Sequence, residues 1–117
     1  MAYAYEKLLV VNDLRELIKK IYQTTKKYPR DESFGITSQM RRSALSILLN
    51  LVEGSGRKSK KEFKRFLNIA LSSTLELDAC IKVSHDLAYI THMEKIGLEI
   101  DTESVYKRIA ALRKSIE

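Results

Sequence analysis

Proline occurs once in this 117-residue chain, cysteine once and glycine four times. A β-sandwich needs a turn signal about every 8–12 residues, and so few turn formers cannot supply them. The lone Cys80 can close no internal disulfide and cannot hold zinc by itself. Long hydrophobic runs are missing too. Stretches such as Leu8-Leu9-Val10-Val11 fall far short of the roughly 18 residues that a membrane span requires. Nothing near Met1 has the pattern of a secretory leader, since Tyr3, Tyr5 and Glu6 interrupt any apolar stretch there. Disorder is excluded from the other side, because 44% of the residues are hydrophobic and they recur at helical spacing. The expectation is one cytoplasmic, helical domain over 1–117, of a size that buries about two-thirds of its unfolded surface.

Positive charge is concentrated. Between Arg41 and Arg65 stand eight basic residues, Arg41, Arg42, Arg57, Lys58, Lys60, Lys61, Lys64 and Arg65, against the acids Glu53 and Glu62. The whole formal excess of +6 therefore lies in this window, and the remaining residues balance. A neutral body with one basic segment is the electrostatic footprint of a protein that meets polyanions. The competing reading is a solvated helix start with no ligand.

Turn-forming residues cluster at Pro29 to Gly35, Gly54 to Ser59 and Thr91 to Asp101, around Gly97. They leave four helical segments, about 6–28, 37–54, 60–90 and 102–116. In the first, Val11, Leu14, Ile18, Ile21, Thr25 and Tyr28 share a stripe, and Pro29 stops the helix. The second opens at Thr37 or Ser38 as cap and carries two stripes: Met40, Ala44, Ile47, Leu48 and Leu51 beside Leu45, Leu49 and Val52. Such a helix is either the most buried of the four or faces another subunit along its second stripe; Gly54 and Gly56 end it. The third opens on the Ser59-x-x-Glu62 capping box and runs a heptad-like seam of Phe63, Leu67, Ala70, Thr74, Leu77, Ile81, Ser84 and Ala88. The fourth, from Asp101 and Thr102, carries Val105, Ile109, Leu112 and Ile116. Four helices joined by short turns predict an all-α, antiparallel up-down four-helix bundle.

Catalytic groups are sparse. His85 and His92 lie seven residues apart, so on one continuous helix they would be about 10 Å apart, too far to grip one ion. Neither Asp86 nor Glu94 completes a metal-binding spacing with them, and no metal is expected. Cys80, near the third seam, reads as a small buried hydrophobe. The Gly54-Ser55-Gly56-Arg57-Lys58-Ser59 turn lacks the spacing and the preceding strand of a phosphate loop, although its amides can meet a single phosphate at a helix start. Asn50, Glu53 and Glu76 are expected to pair with Arg41, Arg42 or backbone groups, as polar structural residues or at contacts between subunits. No enzyme and no cofactor follow from this set.

Several segments together resemble a known family. Phe34-Gly35-Ile36-Thr37-Ser38-Gln39-Met40-Arg41-Arg42-Ser43-Ala44, then Ser46-Ile47 and Asn50-Leu51-Val52-Glu53-Gly54, are similar to the signature of the 23S rRNA intervening-sequence proteins. Lys61-Glu62-Phe63, Arg65-Phe66-Leu67, Ile69-Ala70, Ser73 and Leu75-Glu76-Leu77 continue it, with Tyr28-Pro29 and Glu32 upstream and Leu87-Ala88-Tyr89-Ile90 downstream. Leu48 stands where the family usually has proline, and Ser72 where it often has glycine. These departures put a kink in the second helix and close packing of the third in question. The resemblance implies an antiparallel four-helix bundle assembled as a homopentameric ring, from a bacterial family. That family resembles the accessory protein of diversity-generating retroelements, a pentamer that binds nucleic acid and a reverse transcriptase. The family name does not make the protein a ribosomal component.

Two functions follow as expectations. The first is a non-enzymatic homo-oligomer that binds nucleic acid, RNA foremost, through phosphate contacts of Arg57, Lys58, Lys60, Lys61, Lys64 and Arg65. Arg41 and Arg42 either join that surface or serve structure, with the structural role favoured. The second is an oligomeric scaffold for a protein partner such as a polymerase.

Overall fold

Apolar residues at steps of three and four become four α-helices in the computed structural model, which describes residues 4–116. The expectations at Met1 and Tyr3 lie outside those residues. The helices are α1 (Val10–Thr25), α2 (Ile36–Ser55), α3 (Lys60–Asp86) and α4 (His92–Ser115), and no strand occurs among the described residues. Short 3-10 turns, Ala4–Lys7 and Arg30–Glu32, precede α1 and α2.

Helix α1 is shorter than 6–28. Its last residue, Thr25, donates its hydroxyl to the Ile21 carbonyl at 2.7 Å, and the Tyr28 amide then closes a turn on the Thr25 carbonyl. Leu17 is buried beside Leu14 and Ile21, whereas Ile18 is only half-buried. Helix α2 starts earlier than Thr37, because the Gln39 amide already bonds to the Gly35 carbonyl at 3.0 Å. Neither Thr37 nor Ser38 caps it. The Thr37 hydroxyl is buried without a hydrogen-bond partner among the described residues. Helix α2 runs unbroken through Leu48.

In α3, the Ser59 hydroxyl accepts from the Glu62 amide at 2.9 Å, as the capping box requires. The reciprocal half is not made, since the Glu62 carboxylate turns to Arg65 at 2.7 Å. The expected seam is buried from Leu67 to Ser84, but the helix stops at Asp86 and Ala88 lies exposed beyond it. Ala88 has a φ of 62°, and the Tyr89 amide returns to the Ser84 carbonyl while the Ala88 amide returns to that of His85, both at 2.9 Å. This is a Schellman closure with alanine at the left-handed position where glycine is usual.

Helix α4 begins ten residues ahead of Thr102, which corrects the reading of Thr91 to Asp101 as a turn. Thr91 and Glu94 form a complete capping box, with bonds of 3.1 and 2.9 Å. One exposed glycine inside a helix costs only about 1 kcal/mol, so Gly97 does not interrupt it. Thr102 is buried in mid-helix and donates to the Leu98 carbonyl at 2.7 Å.

Helix α1 packs on α2 and α4, and α3 packs on the same two, in a body 43 Å long and 24 by 22 Å across. Leu14, Ile21, Met40, Ile47, Leu77 and Ile109 are fully enclosed at its centre. Along α1 and the turn after it, Asp13, Lys20 and Lys27 pair in turn with Arg108, Asp101 and Glu94, so the partners recede along α4 as the chain advances. The second stripe of α2 stays at the surface, with Leu45 and Leu49 exposed and Val52 half-buried. Ser72 is exposed. The contact between α2 and α3 at this level is made by Ser73, whose hydroxyl lies 2.9 Å from that of Ser46.

Candidate nucleic-acid interface

The turn between α2 and α3 is tight because Gly54, still helical, carries no side chain against α3. Beyond it, Arg57 and Arg65 share one aromatic ring. Their guanidinium carbons lie 5.0 and 4.4 Å from the centroid of Phe66. Arg57 also meets Glu53 at 3.4 Å, and Arg65 meets Glu62 at 2.7 Å. The hydrogen bond from Arg65 holds the Glu62 carboxyl below the ordinary carboxylate range, so it stays ionised.

The other cations of the segment are different. Lys58, Lys60 and Lys61 are exposed and Lys64 is half-buried, and none of them makes an ion pair among the described residues. Lys60, Lys61, Lys64 and Arg65 line a shallow recess together with Glu62 and Asn68. All six predicted basic residues thus lie at one end of the bundle, two anchored on Phe66 and four uncompensated. Clustered, water-exposed ammonium groups attract phosphates, and do so less as salt rises.

The second predicted set does not form one cluster. Arg41 donates from Nε to the Thr25 hydroxyl at 2.8 Å and from Nη2 to the Tyr22 carbonyl at 3.3 Å, with its guanidinium 4.7 Å over the Tyr22 ring. Within the chain its contacts are to α1 and not to Glu53 or Glu76. Twelve residues of helix separate Arg41 from Glu53, about 18 Å, which rules that pairing out within one chain. Glu76 accepts a hydrogen bond from Gln39, and Glu53 serves Arg57. Asn50 donates to the carbonyl of Ser46 at 2.9 Å and to its hydroxyl at 3.0 Å. Arg42 is exposed and makes no ion pair among the described residues.

The reversal of the chain after α3 brings the rings of His85 and His92 to 5.9 Å, closer than one continuous helix would place them. No group of three metal-ligating side chains occurs among the described residues. Burial pushes the half-buried Cys80 thiol up, away from the thiolate. Sequence spacing also missed one neighbour of the recess: Arg113 of α4 donates from Nε to the Asn68 side-chain oxygen at 2.5 Å, across 45 residues. Contacts between distant helices leave no local signature, and Arg113 already lay within the expected fourth helix without revealing its neighbour on α3.

The profile of the 23S rRNA-intervening sequence proteins matches residues 6–111. The chain belongs to that family. Among solved structures, this 23S rRNA-intervening sequence protein is similar to a protein of unknown function from the S23 ribosomal protein family of Bacteroides thetaiotaomicron VPI-5482. The TM-score is 0.82 at 24% identity, over 92% of this chain and 100% of the other. At that identity the likeness establishes a shared four-helix fold. No curated protein matches this family member significantly.

Proposed function

We propose that the protein is a non-enzymatic, homo-oligomeric nucleic-acid-binding protein that holds RNA through phosphate contacts of the turn between α2 and α3. One observation carries this: Lys58, Lys60, Lys61 and Lys64 gather at one end of the bundle without carboxylate partners among the described residues, beside Arg57 and Arg65 on Phe66. Such groups hold anions. Contacts of this kind position a polyanion without reading its bases.

The subunit of this reading is an antiparallel up-down bundle, supported by the receding ion-pair partners along α1 and α4. Assembly as a homopentamer is part of the proposal, in line with the family resemblance. Association as such is supported by Leu45 and Leu49, which stand exposed on the second stripe of α2, and the subunit number rests on the resemblance alone. Repetition of the basic turn around an oligomer would raise avidity for a folded RNA well beyond that of one subunit.

Fluorescence anisotropy with a structured RNA and a duplex DNA, across a salt series, tests the reading. Binding that weakens steeply with salt and is lost in the Lys60→Glu/Lys61→Glu/Lys64→Glu variant, with the oligomer unchanged by light scattering, supports it. Absence of binding even at low salt overturns it in favour of a scaffold for a protein partner.

A further inference from the structure

We infer that the phosphate-binding surface continues from the α2–α3 turn onto α4, where Arg113 makes a further contact to the phosphodiester backbone; this rests on the nucleic-acid reading above. Three cations that bridge α4 to α1 or to the turn after it are neutralised by carboxylates: Lys20 by Asp101, Lys27 by Glu94, Arg108 by Asp13. Arg113 is held otherwise. Its Nε donates to the neutral Asn68 amide oxygen at 2.5 Å, and no carboxylate pairs with it among the described residues. The amide fixes the exposed guanidinium without cancelling its charge. Both Nη nitrogens, with four N–H donors, remain for a phosphate, which the planar fork suits.

The position of Asn68 joins this group to the basic recess. Lys61, Lys64, Arg65 and Asn68 stand at steps of three and four along α3 and therefore share one face. Asn68 also lines the recess with Lys60, Lys61 and Lys64. The seven residues from Lys61 to Asn68 span about 10 Å of helix, and Arg113 closes the far end. The carboxylate within it, Glu62, is occupied by Arg65 at 2.7 Å and so opposes an incoming anion less than a free acid would.

The anisotropy salt series separates this inference from the reading beneath it. Arg113→Ala is expected to weaken RNA binding several-fold near physiological salt and to reduce the slope of log affinity against log salt by about 0.7–0.9, the value of one lost phosphate contact. Arg113→Lys should restore most of the slope. Asn68→Ala, which keeps the charge but frees the guanidinium, should weaken binding less and leave the slope near that of the unmodified protein. Lys107→Ala, on α4 but paired with Glu103, should change neither. If Arg113→Ala binds with unaltered affinity and slope while Lys60→Glu/Lys61→Glu/Lys64→Glu abolishes binding, the extension onto α4 is overturned and the basic turn stands. If the unmodified protein binds no RNA at low salt, both are overturned. Thermal melts confirm that the variants are folded, since Arg113 lies at the surface.

Discussion

Gly54 of α2 rests against Phe66 of α3 so closely that a β-carbon at Gly54 would stand 2.8 Å from the Phe66 β-carbon. A second ring, Phe63, would lie 3.0 Å away. Neither neighbour is the far end of a flexible chain, so the helices would have to part. Overpacking of this kind costs about 1–3 kcal/mol. Gly54→Ala should lower the urea midpoint accordingly, whereas Gly56→Ala, whose nearest neighbour is a backbone oxygen at 3.7 Å, should be close to neutral. Equal effects of the two would show that the close approach is not what Gly54 provides.

Ala88 presents the opposite case, a side chain where the backbone favours none. Its φ of 62° closes the end of α3, a conformation that costs alanine about 1–2 kcal/mol. Ala88→Gly relieves that strain but gives the unfolded chain more freedom. A net gain of about 0.5–1 kcal/mol is expected, read as a rise of about 2–5 °C in Tm. A fall in Tm would show that the alanine methyl contributes more than the strain removes.

Gly97 offers a third outcome. It lies within α4 with nothing within 4 Å of a β-carbon built there. Gly97→Ala should therefore stabilise the protein by about 0.8–1 kcal/mol, the intrinsic difference in helix propensity. Chemical denaturation measures it, and no gain would mean that another surface covers this position in solution.

The start of α4 makes part of the stability depend on pH. Glu94 is hydrogen-bonded by Lys27 and by the Thr91 amide, which hold its carboxyl below its ordinary value. A carboxylate depressed in the folded state adds stability above its unfolded value near 4.5, and that contribution is lost as pH falls through the folded value. Glu94→Gln should cost about 0.5–1 kcal/mol at neutral pH, as for a weakened cap, and the difference should shrink below about pH 4. A constant difference at all pH values would place the effect elsewhere.

Much of the bundle was legible because burial repeats along a helix. The seam from Leu67 to Ser84 and the Ser59 cap need only local spacing, and both formed. The early start of α4 was also written in the sequence, as Thr91-x-x-Glu94, the same pattern that announced α3. Gly97 and the charged residues near it carry the opposite signal, that of a turn. Leu17 and Ile18 are adjacent on one stripe, and only the packing of α1 on α2 and α4 selects Leu17 for the interior. The basic segment was visible as charge, but the pairing of Arg41 with Tyr22 and Thr25, and of Arg113 with Asn68, depends on which helices are neighbours. Spacing along a single chain carries no record of that.

The three ion pairs that α4 makes with α1 and the turn after it lie at the surface, and each is worth less than about 1 kcal/mol. Their order matters more than their strength. Asp13, Lys20 and Lys27 face Arg108, Asp101 and Glu94, a sequence of signs that reads correctly in one alignment. A slide of two turns one way would set Asp13 against Asp101; a slide the other way would set Lys20 against Arg108. Repacking of the buried Leu14, Ile21 and Ile109 sets the larger cost of such a slip, and the charges add to it. The surface pairs therefore act as a countersign, agreeing with the register that the core selects and opposing its nearest counterfeits.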